Sequence, residues 1–488
     1  MPQMSYGSAI SYHAQNKPDD VALVFEDECL SWAALDQRSS AMARAYQELG
    51  VVTGDYVSII LPNSAEFLIA VIATWKLGAT PNPISSHATA VECQAILDLV
   101  QPRLIIGEGG PQVGDTPCLR QSFVPPQELA GTPLPDVVSP FCRAICSGGS
   151  TGRAKVIVDK TPASCDPDGQ IYTVAQGSRT LIPGPMYHSG PFLNCFWTLL
   201  TGGFVVLMSR FDAQRTLALI DEHALEYIAL VPTMMHRIWR LPTPEREQWD
   251  LSSIRRVVSS GAPCPDWLMG AWIKWLGPER LYEAYGATER VGGTLISGTE
   301  WLAHPGSVGK PTLGREIKIV DEQGRELPAG EVGNVLMKPP ATQAAPAFFY
   351  MGAEIETRDG GWVSLGDMGR LDGDGYLYLT DRKTDMIVSG GANIYPAEIE
   401  AALELYPGVV SSAVIGLPDS DLGERLHAIV ECDAPIDAEC LGQALTQRLA
   451  KNKLPRSYEF VDFPLRNEAG KVRRSELRAE RRDKKPPL

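Results

Sequence analysis

No stretch of the 488-residue chain stays apolar long enough to cross a bilayer. The longest run, Phe67 to Trp75, falls well short of the ~20 residues such a helix needs, and it reads as a buried helix. The opening MPQMSYGSAISYH lacks a charged segment followed by an apolar one, so no targeting signal is expected; the default location is cytoplasmic, with no membrane partner. The ten cysteines include no CxxC pair, and a chain this long needs no disulfide staples. Cys142 and Cys146, four apart on an expected strand, read as packed thiols rather than metal ligands. The seven histidines form no HxxxH pattern. No glycine-rich loop ends in the Lys-Ser/Thr of a Walker A motif. Basic residues are in deficit, 44 Lys and Arg against 59 Asp and Glu, for a formal net charge of −15. Such a surface repels polyphosphate backbones, so nucleic acid is not an expected partner. Any nucleotide site must be a local pocket of donors.

What is present is a globular balance, 44% hydrophobic and 21% charged, enough for two to four structural units at roughly 100–200 residues each. Ser31 is a candidate cap for a helix whose apolar face holds Leu35, Met42, Tyr46 and Leu49 and which Gly50 ends. Strand Tyr56–Leu61, a helix from about Ala65 to Leu77 and strand Arg103–Ile106 follow in a βαβ rhythm. The rhythm returns in Phe204–Met208, Ala213–His223, Tyr227–Val231 and Arg256–Val258. The expected fold is therefore α/β, with a mainly parallel sheet covered by helices. After about Pro305 the polarity alternates, in Glu316–Val320, Gly333–Met337 and Tyr376–Leu379, which suggests a smaller β-rich subdomain. From Ala397 to the end the pattern is α+β again, with expected helices at Ala397–Leu405 and Ala438–Lys451. The boundary is placed near Asp381–Thr384.

Five segments carry chemistry. Cys146-Ser-Gly-Gly-Ser-Thr-Gly-Arg-Ala-Lys155 offers glycines that can fold into a nest of N–H donors, three hydroxyls and a lysine, which is equipment for phosphate. It is followed by an expected strand, Val156–Val158, and taken alone it also reads as a polar hairpin. Tyr285-Gly-Ala-Thr-Glu289 combines a ring suited to a nucleobase, a hydroxyl for phosphate and a carboxylate for Mg2+, a hard cation that keeps few protein ligands. Alone it is equally an ordinary turn. Gly366-Asp-Met-Gly-Arg370 with Asp381-Arg382 offers a carboxylate for two ribose hydroxyls and a guanidinium for sugar or phosphate oxygens, or else a surface salt bridge. Ser389-Gly-Gly-Ala-Asn-Ile-Tyr-Pro396 is a glycine-pair loop opening a helix, and Asn467-Glu-Ala-Gly-Lys471 puts a lysine in a turn.

Their order is more informative than any one of them. SGGSTGRAK, PMYHSGP, SSGAPCP, YGATE, SLGDMGR, DRKTDMIVSGGANIYPAEIE and NEAGKVRR run along essentially the whole chain in the order of the adenylate-forming superfamily of acyl-CoA synthetases, adenylation domains and luciferases, which the sequence resembles. LVPTMMHRIWRLP, EWLAHPGSVGKP and DRKTDMIVSGGANIYPAEIE resemble the branch that contains bile-acid–CoA ligases.

The resemblance implies a large N-terminal adenylation core at 1–381, of mixed α/β layers plus the β-rich subdomain. A hinge at 382–384 and a small mobile C-terminal α+β domain at 385–488 follow. It implies roles position by position. Ser147, Gly148, Gly149, Ser150, Thr151, Gly152 and Lys155 would close over the ATP phosphates. Gly261, Ala262 and Pro263, with Glu283, Ala284, Tyr285 and Gly286, would hold adenine. Thr288 would bind phosphate, Glu289 would bind Mg2+, and Asp367 and Arg382 would hold ribose. His188 would stand at the acyl pocket near the passage for the thiol, in a pocket that also takes Val231, Thr233, Met234 and Gly292. Lys471 would bridge carboxylate and phosphate during adenylation, and Ser389, Gly390 and Gly391 would line the acceptor tunnel. Lys471, Thr288, Glu289 and His188 are thus the catalytic candidates. Three positions depart from the family pattern. Ala154 stands where proline is usual, Ala284 and Ala287 are small, and the hinge residue is Thr384 instead of Asp or Lys.

The implied activity is ATP-dependent conversion of a carboxylic acid to its acyl-AMP, followed by transfer to the thiol of CoA, with Mg2+ as cofactor and a bulky alicyclic acid as substrate. Transfer to an amino-acid amine, as in coronafacate-type ligases, would use the same adenylation motifs; a nucleotide-binding protein without catalysis is the other alternative, and intact Thr288, Glu289, Asp367, Arg382 and Lys471 argue against it. The sequence does not fix the oligomeric state, and a homodimer is one option.

Overall fold

The computed structural model describes residues 3–108, 114–126, 129, 134–147, 154–340, 347–355, 357–382, 385–390, 392–419, 422–467 and 470–482. Among the described residues the largest element is a nine-stranded sheet. Its centre is parallel, running Leu281–Gly286, Arg256–Ser260, Tyr227–Leu230, Arg179–Ile182, Phe204–Leu207 and Val21–Phe25. Antiparallel strands close both margins, Gly293–Ser297 then Lys310–Pro311 on one side and Glu28–Ser31 on the other. A second, parallel sheet is built from Thr80–Pro83, Tyr56–Ile60, Leu104–Gly107 and Cys118–Leu119.

Local chemistry starts the helices that cover these sheets. Ser31 Oγ accepts the Ala34 N–H, and the helix it caps runs Trp32–Glu48. Ser64 caps Ala65–Lys76 in the same way, and every residue of that helix except Glu66 is buried, its apolar side chains forming part of the large core cluster. Its lysine pays for burial with a partner: Lys76 Nζ lies 2.6 Å from Asp36 Oδ1 and 2.8 Å from Ser11 Oγ. No helix among the described residues is long and apolar enough to cross a membrane.

Three smaller sheets complete the molecule. Arg143–Ser147, Lys155–Asp159 and Phe348–Met351 form an antiparallel sheet, so the strand expected at Val156–Val158 is the middle of three. Glu316–Val320, Gly333–Lys338, Trp362–Leu371, Thr357–Arg358 and Leu377–Arg382 form the β-rich subdomain. The last sheet holds Ala392–Ile394, Ile387–Ser389, Gly423–Cys432, Val409–Asp419 and Ser457–Val461, covered by helices Pro396–Leu403 and Ala438–Thr446. The chain leaves the subdomain sheet at Arg382 and enters the last sheet at Ile387; Thr384, the expected hinge residue, lies outside the described residues.

Candidate active site

The expected adenine segments meet on adjacent strands. Ser260 pairs with Ala284 and Ser259 with Glu283, so the turn at Gly261, Ala262 and Pro263 sits beside the end of the Leu281–Gly286 strand. Gly261 takes φ +87°, and a Cβ there would lie 3.3 Å from Val231 Cγ1, so this turn packs directly against the expected acid pocket. Glu283 is buried, and its Oε1 accepts the Cys264 N–H at 3.4 Å. Burial pushes its carboxyl up to about 8, against the pull of that N–H, so the group carries a proton at neutral pH. Tyr285 donates its hydroxyl to Asp367 Oδ2 at 2.6 Å, which joins the sheet to the subdomain. Asp367 pairs with Arg382 across the ladder, so the two expected ribose residues occupy facing positions; the side chain of Arg382 lies outside the described residues.

The expected phosphate loop is anchored at both ends by one strand pair, Ser147 with Lys155. Gly148, Gly149, Ser150, Thr151 and Gly152, and the side chain of Ser147, lie outside the described residues. Lys155 Nζ stands 3.6 Å from Glu289 Oε1 and 4.2 Å from the centre of the Tyr350 ring. The Tyr350 hydroxyl donates to the same Oε1 at 2.7 Å, and burial, reinforced by the Glu289 charge, raises its ionisation well above the ordinary tyrosine value. Tyr350 reaches this position because its strand pairs with the lysine's, Tyr350 opposite Ile157. Glu289 is buried, and the half-buried Thr288 precedes it.

The acid-pocket candidates lie at two helix starts. His188 precedes helix Ser189–Leu200, and Val231 precedes helix Pro232–Trp239, which carries Thr233 and the buried Met234. The two ends approach closely: a Cβ on Gly184 would lie 2.8 Å from Pro191 Cγ and 3.8 Å from Met234 Cε. Gly292 makes room for a different neighbour, since a Cβ there would lie 2.7 Å from Met337 Cβ in the subdomain core.

The Lys471 turn comes to these helix starts. Asn467 N–H reaches Lys471 O at 3.0 Å, Lys471 N–H reaches Asn467 Oδ1 at 2.9 Å, and Arg466 Nη1 donates to Gly470 O at 3.3 Å. Gly470, at φ +71°, would put a Cβ 2.7 Å from Thr233 Oγ1 and 3.3 Å from Val231 Cγ2. Burial, and then the Lys471 charge, press the His188 imidazole down to about 4. At the end of helix Pro232–Trp239, Arg240 forms an ion pair with Asp433 and donates Nη1 to Val409 O at 3.3 Å. Ser389 ends a strand of the last sheet, opposite Gly423, and the exposed Gly390 just beyond it donates its N–H to Leu422 O at 2.9 Å; Gly391 lies outside the described residues.

The model of the AMP-binding enzymes matches residues 10–345, and that of their C-terminal domain matches 398–471. The chain belongs to the AMP-binding enzymes. It is an AMP-forming ligase, and its relatives include acyl-CoA ligases. It is 32% identical to a feruloyl-CoA synthase of an Amycolatopsis species over 98% of this chain and 99% of the other. It is 29% identical to the 3-[(3aS,4S,7aS)-7a-methyl-1,5-dioxo-octahydro-1H-inden-4-yl]propanoyl:CoA ligase of Rhodococcus jostii, over 97% and 98%. The o-succinylbenzoate CoA synthetase of Bacillus subtilis, solved with its acyl-adenylate, superposes with TM-score 0.81 at 26% identity over the whole of both chains. The same enzyme has also been solved with ATP and a magnesium ion.

Within this AMP-binding enzyme, Glu289 fits a magnesium site. It is a buried hard-oxygen donor that already holds a cation, Lys155, against it. Tyr350 was not legible as a site residue in the sequence. It lies in the apolar run Phe348-Phe-Tyr-Met351, and only strand pairing delivers its hydroxyl to Glu289.

Proposed function

We propose that this AMP-forming ligase activates a bulky, ring-bearing monocarboxylic acid, alicyclic by first choice, and transfers it to CoA. The observation that carries the reading is the seating of the Gly470–Lys471 turn on Val231 and Thr233, with the lysine charge felt at His188. A lysine arriving between an apolar pocket and a phosphate corner suits the first half-reaction. The substrate carboxylate attacks the α-phosphorus of ATP, pyrophosphate leaves, and a mixed anhydride with AMP remains. Lys471 beside the two anions lowers the cost of bringing them together: unit charges ~4 Å apart at an effective dielectric of ~20 interact by about 4 kcal/mol. Thr288 and Lys155 hold phosphate oxygens, Asp367 and Arg382 the ribose, and Gly261–Pro263 with Glu283–Tyr285 the adenine. Glu289 would hold Mg2+, which would neutralise part of the phosphate charge. In the second half-reaction the thiol attacks the acyl carbon and AMP leaves; His188, uncharged above about pH 4, adds no competing charge there. Lys471 must then withdraw, which a pivot at 382–384 would allow.

The acid class rests on the walls and the relatives. Val231 and Met234 present apolar surface at the pocket. The Rhodococcus relative is named for a fused-ring propanoate, the Amycolatopsis one for an aromatic acid, and the motifs resembling bile-acid–CoA ligases point the same way. The test is acid-dependent pyrophosphate release with fused-ring, cycloalkane, aromatic, long-chain and acetic acids, with the products identified by mass. Cyclic and polycyclic acids should give the highest kcat/KM and an acyl-CoA product. Acetate as the best substrate would overturn the acid class. Adenylate that reacts with amino acids but never with CoA would overturn the acceptor.

A further inference from the structure

Behind the Thr288–Glu289 corner lies a charge cluster that the chemistry above does not use. Arg143 and Asp159 face each other across the hairpin that carries the phosphate loop, and both are almost sealed from solvent, 1% and 2% exposed. Arg143 Nε is 3.5 Å from Asp159 Oδ2, and Arg290, the residue after Glu289, brings Nη1 to the same oxygen at 3.0 Å. The other two guanidinium nitrogens of Arg143 point elsewhere. Nη1 donates to Ser189 Oγ at 2.5 Å and Nη2 to Thr288 O at 3.3 Å. Ser189 is the first residue of the helix that His188 opens. One buried guanidinium therefore touches the phosphate hairpin, the Thr288 corner and the entrance of the acid pocket.

The cluster has a definite electrostatic character. Two arginines share one carboxylate, so the three groups sum to +1 beneath a site for a polyphosphate. Burial alone would raise Asp159, but Arg290 and Arg143 outweigh it and hold the carboxyl at about 2, so it stays ionised. Arg290 takes φ +54°, a left-handed backbone that a residue with a side chain adopts only where its surroundings fix it, and its ion pair with Asp159 is such a constraint. That backbone turn carries Glu289 on its other side.

We propose that Arg143, braced by Asp159 and Arg290, is a positioning residue for acid activation: it sets the distance between the Thr288–Glu289 corner and the His188 end of the acid pocket, and lends its charge to the bound polyphosphate. Only a planar fork with donors in fixed directions can serve three neighbours at once, and an ammonium group, a point charge on a flexible stem, cannot. The proposal rests on the adenylation reading; the binding arm of its test needs no acid, and the kcat arm uses the best acid of the panel above.

The test measures the dissociation constants of MgATP and of adenosine by titration calorimetry for wild type, Arg143→Met, Arg143→Lys and Ser189→Ala. Arg143→Met should weaken MgATP about tenfold, through the loss of one positive charge behind the phosphates, and leave adenosine unchanged. Arg143→Lys should keep MgATP within about threefold yet lower the kcat of pyrophosphate release about tenfold, because the charge stays while the placement is lost. Ser189→Ala, which leaves the buried charges alone, should lower that kcat by several-fold and combine with Arg143→Lys less than additively. If Arg143→Met fails to fold, the lysine and alanine variants decide. Wild-type MgATP affinity and kcat in both would overturn the proposal. Equal weakening of adenosine and MgATP in the folded variants would also overturn it, because that is the mark of a general prop. A wild-type enzyme that binds MgATP but activates no acid would defeat the functional reading and leave the MgATP and adenosine comparison to judge Arg143.

Discussion

Glu283 keeps its proton at neutral pH because burial, not a partner, controls it. Its folded value is raised to about 8, above the ordinary carboxylate value that the unfolded chain shows. Between those values the folded state holds a proton that the unfolded state has released, so folding stability contributed by this group is full at acid pH and declines as pH rises towards about 8. Glu283→Gln keeps the shape and removes the titration. The melting temperatures of wild type and variant should coincide near pH 5 and separate in the variant's favour by pH 8.5; parallel curves across that range would refute the buried, protonated glutamate. The same scale separates what was legible from what was not. Thr288, Glu289, Asp367 and Lys471 stood in motifs that were ambiguous one by one and pointed to nucleotide chemistry only through their order and the family resemblance. Tyr350, Arg143 and Ser189 did not, because each is a single polar residue in an unremarkable run, and their roles arise from pairings such as Tyr350 with Ile157 and Arg143 with Asp159.

Among elements, those with strong local signals matched expectation. The Ser31-capped helix and the strand at Val156–Val158 are both found, the latter as Lys155–Asp159. Two details differ. The glycine-pair segment before Pro396 contains a short strand, Ala392–Ile394, which only pairing with Ile387–Ser389 stabilises, and no local pattern announces such a pairing. The helix expected to reach Lys451 stops at Thr446; Leu449 and Leu454 turn in to the small domain's core instead of continuing the helix. The turn bearing Lys471 is the element with most at stake. Gly470 combines φ +71° with a contact that leaves no room for a Cβ against Thr233 Oγ1. Gly470→Ala should therefore lower adenylation by roughly tenfold or more, the consequence of displacing a catalytic group by a fraction of its reach. It should leave the reaction of a supplied acyl-adenylate with CoA close to wild type. Equal loss in both half-reactions would show that the glycine serves general folding.

On the scale of the whole molecule, the order of units was legible because motifs run in sequence. The way the last sheet docks was not, because it depends on contacts between distant residues. Arg240 with Asp433, and Arg240 with Val409 O, tie helix Pro232–Trp239 to the small domain in the orientation that delivers Lys471. The pair is partly exposed, so it should contribute only ~0.2–1 kcal/mol and weaken with salt. Asp433→Ala is expected to slow adenylation by no more than about fivefold at low salt, to converge on wild type at high salt, and not to slow thioester formation. A salt-independent loss would mean that the docking does not rest on this pair.

The most direct test of the account is a pair of half-reaction assays on wild type and Lys471→Ala. The lysine follows the Gly470 turn seated on Val231 and Thr233 and is assigned to the step in which two anions meet, so the variant should lose about 10²–10³-fold in acid-dependent pyrophosphate release, the scale of one transition-state donor. It should convert a supplied acyl-adenylate and CoA to thioester at close to the wild-type rate. A variant that releases pyrophosphate normally, or that fails equally in both halves, would contradict the account.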